Sequence, residues 1–276
     1  MALAGAALGG CGGDASDPDR FDGERAFELI ETQVRYGPRP AGSETLERLG
    51  RKLRRQLPNA EVQPLSGGLL NLISVIPGNE PAVLVAAHYD TEATVPDHVG
   101  ANDGAAGTAA VVELARTVED HLPEDHREVR FALFDGEEEP PGCPDARFER
   151  CALRGSKAYA AAHSGEIGEL ILLDYVANRG LRLTREGNSD PALWAELRES
   201  AETVGAEEFF PEGQQAAIID DHVPFIRAGV PAIDLIDFSY PFADTARDTP
   251  DKLDPEALDA VGETVAELII RLSSSS

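Results

Sequence analysis

Basic residues are scarce in this chain. Lysine occurs only at Lys52, Lys157 and Lys252, and 24 Lys and Arg face 50 Asp and Glu, giving a formal net charge of -26. The pI is near 4.5. Such a surface repels phosphate, which argues against nucleic acid and anionic membrane surfaces as partners. An acid-rich, lysine-poor surface suits high salt, but a GC-rich genome also favours Arg over Lys, and composition does not separate the two. Beyond the N-terminus, long apolar runs are missing too, so no segment there has the length to cross a bilayer as a helix. Cysteine is confined to Cys11, Cys143 and Cys151. The last two share a Pro-rich loop with no His or further Cys close by, which disfavours a metal site there. In an exported protein they would form a local disulfide. The single Trp, Trp194, falls in a predicted helix and reads as core.

What is present is enough chain for one large α/β domain or two small ones. The N-terminus, "MALAGAALGGCGGDASD", is small and apolar up to Cys11 and polar after it. Leu8-Gly9-Gly10-Cys11 resembles a bacterial lipobox, in which the Cys carries lipid. The leader is short and lacks a basic start; the other reading is an Ala/Gly-rich tail. The expectation is an export signal and linker over 1–20, a catalytic domain over 21–272 and a tail over 273–276.

Helices are predicted over 21–35 and 43–56, split by "YGPRPAGS", with Ser43 as a cap. "LLNLISVIPG" and "AVLVAAHYD" read as strands with Pro77-Gly78 turning between them. "GAAGTAAVVELARTV" and "RGSKAYAAAH" read as helices, "EVRFALFD", "ELILLDYV" and "VPAIDLID" as strands. Helices near 190–204, from 221 and over Pro255–Leu272 complete the pattern. Strands apolar on both faces that alternate with helices predict a single α/β domain. Its sheet is mixed but mostly parallel, with helices on both faces.

In such sheets ligands bind beyond the carboxyl ends of strands. His88 and Asp90 follow "AVLVAA", Glu137 and Glu138 follow "FALFDG", and Asp174 ends "ELILLD". Like charges this close repel, and burying them costs several kcal/mol unless a cation compensates. A divalent metal is the best account, since zinc accepts His nitrogen and carboxylate oxygen. Asp103, in the Gly-flanked turn "GANDGAAG" at a helix start, suits a ligand shared by two ions. Adjacent glutamates can then divide the work, one binding metal and one taking a proton.

"AAHYDT", "GANDGAAGTAAVVELAR", "FDGEEE", "RGSKAY", "LLDYV", "DDHVPFIRAGVPAIDLID" and "DTPDKL" stand in the order found in the zinc aminopeptidase family, metallopeptidase family twenty-eight. The resemblance covers about residues 22–272 and is closest in style to the cyclotransferase-like bacterial branch. It implies a zinc-peptidase-like fold with one or two zinc ions. His88 and Asp174 would hold one ion, Asp103 would bridge and Glu138 would hold the second. Glu137 would be the general base, Asp90 would orient His88, and Asp220 would match an acid that the cyclotransferases use near the substrate.

One motif departs from the family. A His in a "WHT" setting normally supplies the last ligand, but Ala243 and Asp244 stand there, and no His follows His222. His222 itself reads as structural, beside Pro224 and Phe225. Asp244 would ligate in place of the missing His, favouring Mn or Mg at an all-oxygen second site, or that site is lost. The absent Trp argues against cyclotransfer. The resulting expectation is an exported, lipid-anchored, monomeric exopeptidase acting on peptide N-termini. The alternatives are a glutaminyl-peptide cyclotransferase and a non-catalytic peptide-binding domain.

Overall fold

The computed structural model describes residues 20–143 and 147–274. The lipobox reading at Cys11 lies outside the described residues.

Two helices open the described chain, α1 (Gly23–Val34) and α2 (Glu44–Arg54), capped by the side chains of Asp22 and Ser43. Each cap satisfies an N–H that the first helical turn leaves without a partner. β1 (Glu61–Pro64), β2 (Leu70–Ile76) and β3 (Asn79–His88) follow, then α3 (Ala105–Thr117) and β4 (Arg127–Phe134). The short α4 (Phe148–Cys151), then α5 (Arg154–His163), β5 (Ile167–Leu173) and α6 (Pro191–Val204) come next. α7 (Val223–Arg227), β6 (Ala232–Leu235) and α8 (Pro255–Ser273) end the fold. α6 and α8 each start with Pro after an Asp cap, where the missing proline N–H costs nothing.

The sheet order is β1-β2-β4-β3-β5-β6. β3, β4, β5 and β6 run parallel, while β1 and β2 add antiparallel pairings at one side. The sequence patterns anticipate this mixed sheet but not β1 or α4. The turn at Pro77-Gly78 does not make a hairpin, because β4 lies between β2 and β3 and pairs with both.

β3 explains the two-sided cover. Val83, Val85 and Ala87 point to a core shared with α1, α2, α3, α6 and α8, while Ala82, Leu84 and Ala86 point to a second core with α5 and α7. Side chains alternate faces along a strand, so a run apolar at every position must be covered twice. Trp194 is buried in the first of these cores. Cys143 and Cys151 are bonded in a disulfide.

Candidate metal centre

The parallel strands end along one edge, and the acids follow them. His88 closes β3, Asp135, Glu137 and Glu138 follow β4, and Asp174 follows β5. Asp103 arrives just before α3, at a turn where Gly104 has φ 80°. A Cβ on Gly104 would sit 2.7 Å from the Asp90 carbonyl oxygen and 3.1 Å from His88 Cε1. Only glycine permits this close approach and this backbone conformation together.

His88 Nε2 lies 3.2 Å from Asp103 Oδ1 and 3.4 Å from Asp174 Oδ1. Ligand atoms of these three residues lie within 4.8 Å of one another, as do those of His88, Glu137 and Glu138. Tetrahedral zinc with bonds of about 2.1 Å keeps its ligand atoms about 3.4 Å apart, so the His88–Asp103–Asp174 spacing fits such an ion. All five side chains are buried.

The electrostatics fit as well. Burial raises Glu137 well above the usual carboxylate range, helped by Asp220, and it raises Glu138 likewise, helped by Asp103 and Glu137. Burial also lifts Asp174 to about 7, against the pull of His88. Burial opposes the charge of Asp103, but His88 and His98 outweigh it and hold this carboxylate well below its ordinary value. The cluster holds more negative charge than its side chains neutralise, which is the condition a divalent cation relieves.

Asp90 stands 3.8 Å from His88 Nδ1, beyond hydrogen-bond reach, and that nitrogen has no hydrogen-bond partner among the described residues. The two Asp90 oxygens instead accept from the backbone N–H groups of Glu137 and Glu138 at 3.2 and 3.3 Å. Asp90 thus fixes the glutamate pair. Asp220 is buried in the same cleft, and burial raises its pKa. Asp244 is exposed at the cleft mouth with φ 50°; its Oδ1 is 3.4 Å from the Tyr175 hydroxyl.

Four contributors escaped sequence reasoning. His98 is buried with Nε2 3.2 Å from Asp103 Oδ2. Tyr175 donates to the same oxygen at 3.1 Å. Asp248 accepts from the N–H groups of Asn102 and Asp103. Arg39, within "YGPRPAGS", donates to the carbonyls of Val99 and Gly100. The sequence signal for His98 was its place five residues before Asp103. His222 is buried as expected, but charged partners surround it: Glu186 Oε2 at 3.2 Å and Asp234 Oδ2 at 3.7 Å.

The cleft has a volume of about 340 Å³. Asp103, Glu137, Glu138, Asp174 and Asp220 line it together with the apolar Phe148, Ile218, Ile219, Ile236 and Phe238. Phe238 is 52% exposed and meets Tyr175 edge to face at 6.3 Å.

The sequence model of peptidase family M28 matches residues 71–269. The chain belongs to that family. It is 27% identical over 208 residues to aminopeptidase YwaD of Bacillus subtilis (strain 168), covering 68% of this chain and 40% of that one. The chain therefore spans less than half the length of that relative. A glutaminyl cyclase from an Acidobacteriales bacterium superposes with a TM-score of 0.80 at 26% identity, covering 96% of this chain and 99% of its own. A Zn-dependent exopeptidase from Parabacteroides distasonis gives 0.80 at 25% identity, covering 92% and 99%. The fold of this M28 chain is thus the zinc-peptidase-like fold, shared by exopeptidases and glutaminyl cyclases.

Proposed function

We propose that this chain is a zinc-dependent exopeptidase that removes residues from the N-terminus of peptides. The observation carrying the reading is Glu137, buried in an acid-lined cleft and held by Asp90 beside the His88–Asp103–Asp174 cluster. His88 and Asp174 would hold one ion, Asp103 would bridge, and Glu138 would hold a second. Zinc bound there supplies a Lewis acid for the scissile carbonyl and lowers the pKa of water beside it. Glu137 takes the proton of the attacking water and delivers it to the departing amine. Its raised pKa suits both halves of that transfer. Asp220, deep in the cleft, attracts the ammonium of a peptide N-terminus, and the apolar lining accepts the first side chain.

Glutaminyl-peptide cyclotransfer is the second reading. Phe238 and Tyr175 favour it, because they restore an aromatic wall that Ala243 does not supply. Glu137 would then carry a proton from the attacking α-amine to the departing ammonia. The two readings separate on two substrates. Release of nitroaniline from leucine p-nitroanilide supports the peptidase. Ammonia from a Gln-initiated peptide, without nitroaniline release, replaces it with the cyclase. Zinc loading with neither product, across a panel of N-terminal residues, leaves a peptide-binding domain.

The disulfide between Cys143 and Cys151 supports an oxidising, extracytoplasmic location, with Cys11 as the proposed lipid anchor. Fractionation of cells expressing the wild type and Cys11→Ser tests it. Release of the variant from the membrane fraction is the expected result.

A further inference from the structure

The His98 ring is held at both nitrogens. Nδ1 lies 2.9 Å from the carbonyl oxygen of Thr245, so Nδ1–H donates there and Nε2 is left facing Asp103 Oδ2 at 3.2 Å. A neutral imidazole in that tautomer would aim a lone pair at a carboxylate. The contact is favourable only with a cation between or on the two groups, a proton or a metal. Fixing the tautomer through the far nitrogen is how proteins prepare a histidine for metal. Asp103 thereby meets two imidazoles, Oδ1 with His88 and Oδ2 with His98, both at 3.2 Å.

The segment carrying His98 is built rigidly. Arg39, fully buried, forks to the carbonyls of Val99 and Gly100. Asp248 accepts from the N–H groups of Asn102 and Asp103, and the Tyr240 hydroxyl donates to Asp248 at 2.8 Å. Asp244 has none of this support and stays exposed. Thr245, which anchors the His98 ring, is its immediate neighbour. The imidazole thus arrives beside position 244 from the other direction along the chain.

We propose that His98, rather than Asp244, supplies the nitrogen ligand of a second metal site, with Asp103 bridging it to the His88 site. The proposal rests on reading the cluster as a metal centre. One nitrogen beside the oxygen of Asp103 gives this second site the mixed donors that suit zinc, not the all-oxygen site that Asp244 would give.

The test uses the whole chain labelled with 15N-histidine and titrated with zinc, with bound metal counted per chain. Two ions per chain, with the Nε2 signals of both His88 and His98 moving to coordinated positions, is the expected result. His98→Ala and His98→Gln should each bind one ion fewer. Gln keeps a hydrogen-bond donor for Asp103 but is a poor zinc ligand. His98→Ala combined with Asp244→His should recover the second ion. Retention of both ions by His98→Gln would overturn the proposal, leaving His98 to position Asp103. So would zinc binding that moves the His88 signal alone, although the proposed function would survive that result. A single ion that moves His98 supports the proposal. No zinc binding at all removes both readings. The NMR measurement on the unaltered chain decides even if a variant fails to fold.

Discussion

Gly107→Ala separates two opposing effects whose sizes differ. Gly107 lies in the first turn of α3, where alanine gains about 1 kcal/mol of helix propensity. Its Cβ, however, would fall 2.0 Å from the Leu173 carbonyl oxygen and 3.0 Å from the Ala87 Cβ. The nearest atom is backbone, so no rotamer change relieves the overlap, and α3 or the end of β5 must move by about 1 Å. Overpacking of this kind costs about 1–3 kcal/mol, and a backbone overlap sits at the upper end. The net expectation is a loss of about 2 kcal/mol, or roughly 4–8 °C in Tm for a chain of this size. Leu173 precedes Asp174 and Ala87 precedes His88, so zinc affinity should fall in parallel. Thermal melting and zinc titration measure the two effects. Gly165→Ala is the control, since its Cβ would meet nothing within 4 Å. A Gly107→Ala protein melting at or above the wild type, with unchanged zinc affinity, would refute the packing argument.

Glu137→Gln should cut turnover about 10²–10⁴-fold while metal content per chain stays the same; an active variant would remove Glu137 as base. Burial opposes the charge of Glu186, but His222 and the N–H groups of Asn188 and Ile218 outweigh it and hold the carboxylate at about 2. A depressed folded pKa gives stability that is present above the unfolded value near 4.5 and is lost as pH falls toward 2. Glu186→Gln should therefore be less stable at neutral pH by roughly 2 kcal/mol, with a flatter denaturation profile between pH 4.5 and 2. Parallel wild-type and variant profiles would contradict this. Replacing Cys143 and Cys151 with Ser opens a short loop and should cost about 2–3 kcal/mol, read as a lower urea midpoint that matches the reduced wild type.

The sheet was legible because β3, β4 and β5 are apolar on both faces, and only a covered parallel sheet accommodates such runs. Strand ends then pointed to His88, Glu137, Glu138 and Asp174. β1 was not legible: "EVQP" is four residues of an edge strand, half exposed, and carries no period. The family resemblance implies that Asp90 orients His88; Asp90 stands 3.8 Å from His88 Nδ1, while its two oxygens accept from the backbone N–H groups of Glu137 and Glu138. β3 stops at His88, and the turn carries Asp90 to the backbone of Glu137 and Glu138. His98 was missed because the absent ligand was sought after His222, near its usual place in the chain. A ligand must occupy a place in space, and a loop entering from the N-terminal side reaches that place equally well.

The acids at these strand ends can stay buried because neighbouring donors, protons or a bound cation offset their charge. Asp90, Asp103, Glu137, Glu138, Asp174, Asp220 and Asp221 are all nearly inaccessible to solvent. Facing them are His88, His98 and Arg39, and burial lowers Arg39 to about 10 even with Asp103 and Asp248 beside it. Some of this charge is handled locally. Asp90 is held by two backbone N–H groups, and Asp221 accepts from the Ser156 hydroxyl. Burial instead raises the pKa values of Glu137, Glu138 and Asp174, which favours proton uptake at these oxygens when no metal is bound. A divalent ion binds by displacing those protons. The cleft is then tuned by two competing cations, proton and metal, at the same oxygens. Its affinity for metal should therefore rise with pH through the neutral range where Asp174 titrates.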